Sequence, residues 1–198
     1  MLMSSLINSD IYKTIESDLS ENDGKIFLQK GKYCAGVSKC DGIFYFNNEG
    51  DPVIKVATGD KTEKEWFGVL IHEYCHFLQW TTNSKIWQKF ENQNFAFDDI
   101  ISKPKKFKEE ILILLALERD CERRAIKIIK DNNLFCHKEY AQYANAILYK
   151  YAYLYKNNIW PMPRTRYKTI ANQCPNVLLK SHLNYLEIPE SIIQFYQN

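Results

Sequence analysis

The chain has 198 residues, 45% of them hydrophobic and 25% charged, with a net charge of +2. That length suits a single domain over residues 1–198 that folds around its own core without disulfide or metal staples. The near-balanced charge argues against nucleic acid or an anionic membrane surface as a partner. Cys34, Cys40, Cys75, Cys121, Cys136 and Cys174 form no Cys-x-x-Cys pair, so a zinc ribbon is not expected. Met1–Asp10 lacks a basic region and a long apolar core, so no secretory signal is expected there. The longest apolar run, Ile111–Leu117, is too short to cross a bilayer. The expected location is a reducing cytoplasm. Abundant Lys, Asn and Ile fit an AT-rich genome, whether phage, viral or bacterial.

In chain order, residues 4–19 carry a helical stripe of Leu6, Ile7, Ile11, Ile15 and Leu19, closed by a turn at Glu21–Gly24. Strand patterns follow at Lys25–Gln29, Tyr33–Ser38, Gly42–Asn47 and Pro52–Thr58. Turn signals at Cys40–Gly42 and Asn47–Asp51 make a small antiparallel sheet of three or four strands the expectation. Thr62 and Glu65 have capping-box spacing and open a helix that runs to about Thr81. Asn83–Lys105 reads as irregular. Helices are expected over about Lys106–Asn132 and Lys138–Lys156, then a break at Trp160–Pro163. Short helices are expected near Cys174–Tyr185 and Pro189–Tyr196. The fold class is therefore α+β: a small antiparallel sheet packed on a helix, then a mainly helical C-terminal half.

The helix ending near Thr81 contains His72-Glu73-Tyr74-Cys75-His76. Residues four apart share a helix face. Two imidazoles so placed can bind one zinc ion, and the intervening Glu73 then stands beside a metal-bound water as a general base. A catalytic zinc site takes three protein ligands and keeps one position for water. A glycine at position 79 and a third histidine at position 82 would define a metzincin. Gln79 and Thr82 exclude that class. The helix at 106–132 places Glu118 and Glu122 on the same stripe as Ile111, Leu114, Leu115, Cys121, Ala125 and Ile129. Buried carboxylates require compensation, which a zinc ion supplies directly. One of the two would bind metal and the other would orient a ligand imidazole. The alternative is that both pair with Arg119, Arg123 or Arg124 on a solvated face.

The two segments together resemble the gluzincin metallopeptidases, whose second motif in several families reads Glu-x-x-Ala-Asp-x-x-Ala. Here it stands as Glu118-Arg119-Asp120-Cys121-Glu122-Arg123-Arg124-Ala125. The plan is also similar to that of the compact minigluzincins and of uncharacterised phage-type metallopeptidases, over about residues 52–130. The resemblance implies a zincin-like fold, with His72, His76 and Glu118 as zinc ligands and Glu122 holding a ligand histidine. It implies Glu73 as base in hydrolysis of a peptide or protein substrate. It also implies that Pro52–Thr58 is an edge strand lining the cleft, to which an extended peptide adds. His137, Tyr140, Tyr143, Tyr167 and His182 are unranked candidates for stabilising an oxyanion. A non-catalytic regulatory or interaction protein on a zinc-binding scaffold is the alternative, and hydrolysis of a non-peptide amide is a third. Cys34 and Cys40 are read as packing residues, with a second metal site or a redox pair as the sharper alternatives. The Tyr-rich helix 138–156 is read as core rather than substrate wall, and Arg164–Lys168 as a solvated basic loop.

Overall fold

The N-terminal stripe forms two helices rather than one: α1 (Ser4–Ile7) and α2 (Asp10–Ser20). The computed structural model describes residues 4–35, 40–93, 97–161 and 167–197. Ser9 makes the break, because its hydroxyl accepts from Tyr12 N–H as an N-cap and donates to the Leu6 carbonyl. Ile11, Ile15 and Leu19 are buried as the spacing requires. The chain divides into two compact units, residues 1–81 and 82–198. The fold class is α+β.

The first unit holds a three-stranded mixed sheet of β1 (Lys25–Gln29), β2 (Gly42–Phe46) and β3 (Pro52–Ala57), in the order β1-β3-β2. β2 runs antiparallel to β3 as expected, but β1 runs parallel to it. The expected strand at Tyr33–Ser38 does not form over its described residues 33–35, and 36–38 lie outside the described residues. β3 is therefore central and not the edge strand that the sequence led us to expect. The reason lies in its composition. Val53, Ile54, Val56 and Ala57 are all buried, so apolar residues occupy both faces of the strand around the half-buried Lys55, which suits a strand paired on both sides. Pro52 occupies its first position, where a missing N–H is tolerated. The β2–β3 turn is built on Asn47, whose side-chain oxygen accepts from Glu49 N–H at 2.9 Å and Asp51 N–H at 2.8 Å. Gly50 takes the left-handed conformation there, with φ of +91°. Helix α3 (Glu63–Thr81) packs on β2 and β3 and is buried around most of its circumference. Half of the expected capping box is seen at its start, where Thr62 N–H donates to Glu65 Oε2 at 2.8 Å.

The second unit is helical. The stretch read as irregular forms α4 (Lys85–Glu91), α5 (Phe97–Ser102) and a single 3-10 turn at Pro104–Lys106. Ser84 starts α4 by accepting from Trp87 N–H at 3.2 Å. Long helices α6 (Lys108–Asp131) and α7 (His137–Asn157) follow close to their expected bounds. Asn158, at φ of 58°, closes α7 in the left-handed region. The tail differs from expectation. Its helices are α8 (Tyr167–Ala171), a 3-10 turn at His182–Leu186, and α9 (Glu190–Gln197), so most of 174–181 is non-helical. That stretch is held by polar side chains instead. Asn145, fully buried in α7, donates to the carbonyls of Pro175 at 2.7 Å and Val177 at 2.9 Å and accepts from the Tyr185 hydroxyl. Such links satisfy backbone groups that no helix satisfies. Tyr149 and Tyr153 lie in the core with Tyr185, Ile188, Ile192 and Tyr196, which gives the Tyr-rich helix its packing role. No helix among the described residues is long and apolar enough to cross a membrane.

Candidate metal centre

His72 and His76 lie one turn apart on α3, and their Nε2 atoms are 3.2 Å apart. Their rings meet edge to face, with centroids 4.8 Å apart. Two imidazole nitrogens this close either share a proton or share a cation. Nitrogens bound at ~2.0–2.1 Å to one tetrahedral ion are separated by ~3.3–3.4 Å. The pair is thus spaced as two ligands of one zinc ion, with its lone pairs on the same side of the helix.

Gln79 sharpens the case. It is fully buried, and its Oε1 lies 2.9 Å from His76 Nδ1. An amide oxygen only accepts, so this contact requires the proton on Nδ1, and the ring in that tautomer offers its lone pair at Nε2. An outer acceptor that fixes a ligand tautomer is a usual accompaniment of histidine ligation. The sequence reading used Gln79 only to exclude a metzincin. The His76-to-Gln79 spacing of three residues on a helix was the available signal for its second role.

Glu73 points from α3 toward the start of β2 and is buried. Gly42 makes room for it. A Cβ there would stand 2.8 Å from Glu73 Oε1 and 2.9 Å from its Cγ, as well as 2.4 Å from Val69 Cγ1. The Cys34 and Cys40 thiols are close enough to feel the Glu73 charge. On the far side of α3 the Tyr74 hydroxyl donates to Asp18 of α2, which ties the helix in place. Burial, followed by Asp18, raises the pKa of that phenol.

In the second unit the carboxylates sit on the apolar stripe of α6 as expected. Glu118 is half-buried and Glu122 is 2% exposed, beside buried Cys121 and Ala125. Tyr151 of α7 donates to Glu118 Oε1 at 3.4 Å. The arginines are engaged elsewhere. Arg123 and Arg124 meet Asp120 at 2.7 and 2.8 Å, and Arg119 donates to the Leu179 and Lys180 carbonyls. Among the oxyanion candidates, Tyr140 is buried in α7, and Tyr143 packs against the tyrosine-rich core. His137 opens α7. Half-buried His182 lies in the last 3-10 turn, its pKa lowered by burial and then by the Arg119 and Lys89 charges. The Tyr167 side chain and residues 164–166 of the basic stretch lie outside what is described.

No protein-family model, curated protein or solved structure matches the chain.

Proposed function

We propose that the chain is a zinc-dependent peptide-bond hydrolase of gluzincin type. The observation that carries the reading is the 3.2 Å approach of His72 and His76 Nε2, with Gln79 holding the His76 proton on the other nitrogen. His72 and His76 hold the ion. Glu118 is proposed as third ligand on its sequence pattern, with Glu122 as the carboxylate that orients a ligand imidazole. Zinc so held would polarise a carbonyl and acidify a water molecule.

Glu73 takes a proton from the attacking water at its carboxylate and delivers it to the departing amine. Its burial against Gly42 favours this role, because a carboxylate packed on backbone is held in one orientation. The substrate strand is proposed to pair with β2 rather than β3. Among the described residues β2 is paired on one side only, and its first residue adjoins Glu73.

The test combines metal analysis with cleavage of a peptide library by the parent chain and by Glu73→Gln. The expected result is zinc in both proteins and cleavage by the parent alone. Zinc with no cleavage of any pool by the parent would favour the non-catalytic scaffold. Turnover confined to small amides would move the substrate class.

A further inference from the structure

Cys34 and Cys40 lie outside the proposed zinc chemistry and come together across the segment that leads into β2. Cys34 N–H donates to the Cys40 carbonyl at 2.9 Å, so the two residues are backbone neighbours. Cys34 Sγ donates to the Asp41 and Lys55 carbonyls, each at 3.6 Å, the two thiols lie within electrostatic reach of one another, and both cysteines are reduced. Cys34 is 2% exposed, whereas Cys40 is half-buried.

We propose that Cys34 and Cys40 are a redox modification site, closing to an intramolecular disulfide when they meet a small-molecule disulfide. The chemistry runs in two exchanges. Deprotonated Cys40 attacks the oxidant's sulfur, forming a mixed disulfide and releasing one thiolate, which takes up a proton. Deprotonated Cys34 then attacks Cys40 Sγ, releasing the second thiol and leaving the Cys34–Cys40 bond. Two cysteine thiols are oxidised and one oxidant disulfide is reduced to two thiols. Burial pushes both thiols up, Cys40 to about 12, so the attacking thiolate is a small fraction at neutral pH and the exchange quickens as pH rises. The pair stands next to Gly42 in sequence and within electrostatic reach of Glu73, so closure would brace the segment against which the proposed base packs.

The experiment treats the full folded chain with excess oxidised glutathione, alkylates it under denaturing conditions and maps tryptic peptides. Lys32, Lys39 and Lys55 bracket the two cysteines on separate peptides, 33–39 and 40–55, so the bond is read as a linked pair lighter by two hydrogens. Exposed Cys136 reports that the oxidant has acted. The expected result is the linked pair as the dominant form in the parent chain, and a stable glutathione adduct on Cys40 in Cys34→Ser. A parent chain that keeps glutathione on Cys40 would overturn the proposal. So would full alkylation of Cys34 and Cys40 while Cys136 is modified. Both readouts come from the parent chain and stand whether or not the variant folds.

Discussion

Helices α3 and α6 carry the two halves of the proposed chemistry and are built by different means. In α3, chemistry and geometry are local. His72, Glu73, His76 and Gln79 fall within two turns of one helix, and the helical repeat alone brings two imidazole nitrogens to 3.2 Å. In α6 the carboxylates share an amphipathic helix whose other face is laced with Asp120–Arg123, Asp120–Arg124 and Lys127–Asp131 pairs. There a partner of Glu118, Tyr151, comes from α7, far along the chain. A motif written within one helix can be read as geometry. A motif that depends on a second helix can be read only as a stripe.

Four perturbations sharpen that contrast, from the largest expected effect down. Glu73→Gln should cut kcat/KM by ~10²–10⁴-fold, the usual worth of a positioned proton-transfer group, with zinc content unchanged. Metal analysis beside single-turnover cleavage checks it, and parent-level cleavage by the variant would remove Glu73 from the mechanism. Gln79→Leu fills a fully buried position with an apolar side chain of similar size but removes the acceptor of the His76 Nδ1 proton. Zinc affinity should fall ~10–100-fold in a competition titration, with far-UV dichroism preserved. An unchanged affinity would mean that the local geometry of α3 does not depend on that hydrogen bond.

Gly42→Ala is the third. Its Cβ would meet Val69 at 2.4 Å and the Glu73 carboxylate at 2.8 Å. A cost of ~1–3 kcal/mol in urea denaturation is expected, as for an overfilled core. Activity should fall further than stability explains, because Glu73 must shift. The fourth belongs to the second unit and is the smallest. His182 has its pKa lowered by burial and by the nearby Arg119 and Lys89 charges. Its folded form resists protonation, so the stability linked to it is complete above the unfolded value of ~6.5 and is lost as pH falls below that. The urea midpoint of the parent should fall relative to that of His182→Gln as the solution is made acid. A parent midpoint that does not drop relative to the variant would contradict this.

The same contrast explains what the sequence made legible. Helices α3, α6 and α7 were readable because apolar periodicity over many turns outweighs local noise. The break at Ser9 and the short helix begun by Ser84 were signalled by capping serines that the longer patterns obscured. Strand existence was mostly legible but strand order was not. The turns point to antiparallel neighbours, yet β1 pairs parallel with β3 and leaves β2 at the edge among the described residues. Pairing is a nonlocal choice, and the sequence sign for it is that apolar residues fill both faces of β3, interrupted by Lys55. In the site, Gln79 was readable from its spacing to His76. The Tyr151 contact to Glu118 was not, because it depends on how α6 and α7 pack.

The most direct test of the central claim is zinc-edge X-ray absorption on the zinc-loaded full chain. The account predicts two imidazole scatterers with nitrogens at ~2.0–2.1 Å and light oxygen scatterers completing the shell, one from Glu118. A spectrum without imidazole scattering, or a chain that retains no zinc, would contradict it. A sulfur scatterer at ~2.3 Å would keep the histidines and replace Glu118 with a cysteine.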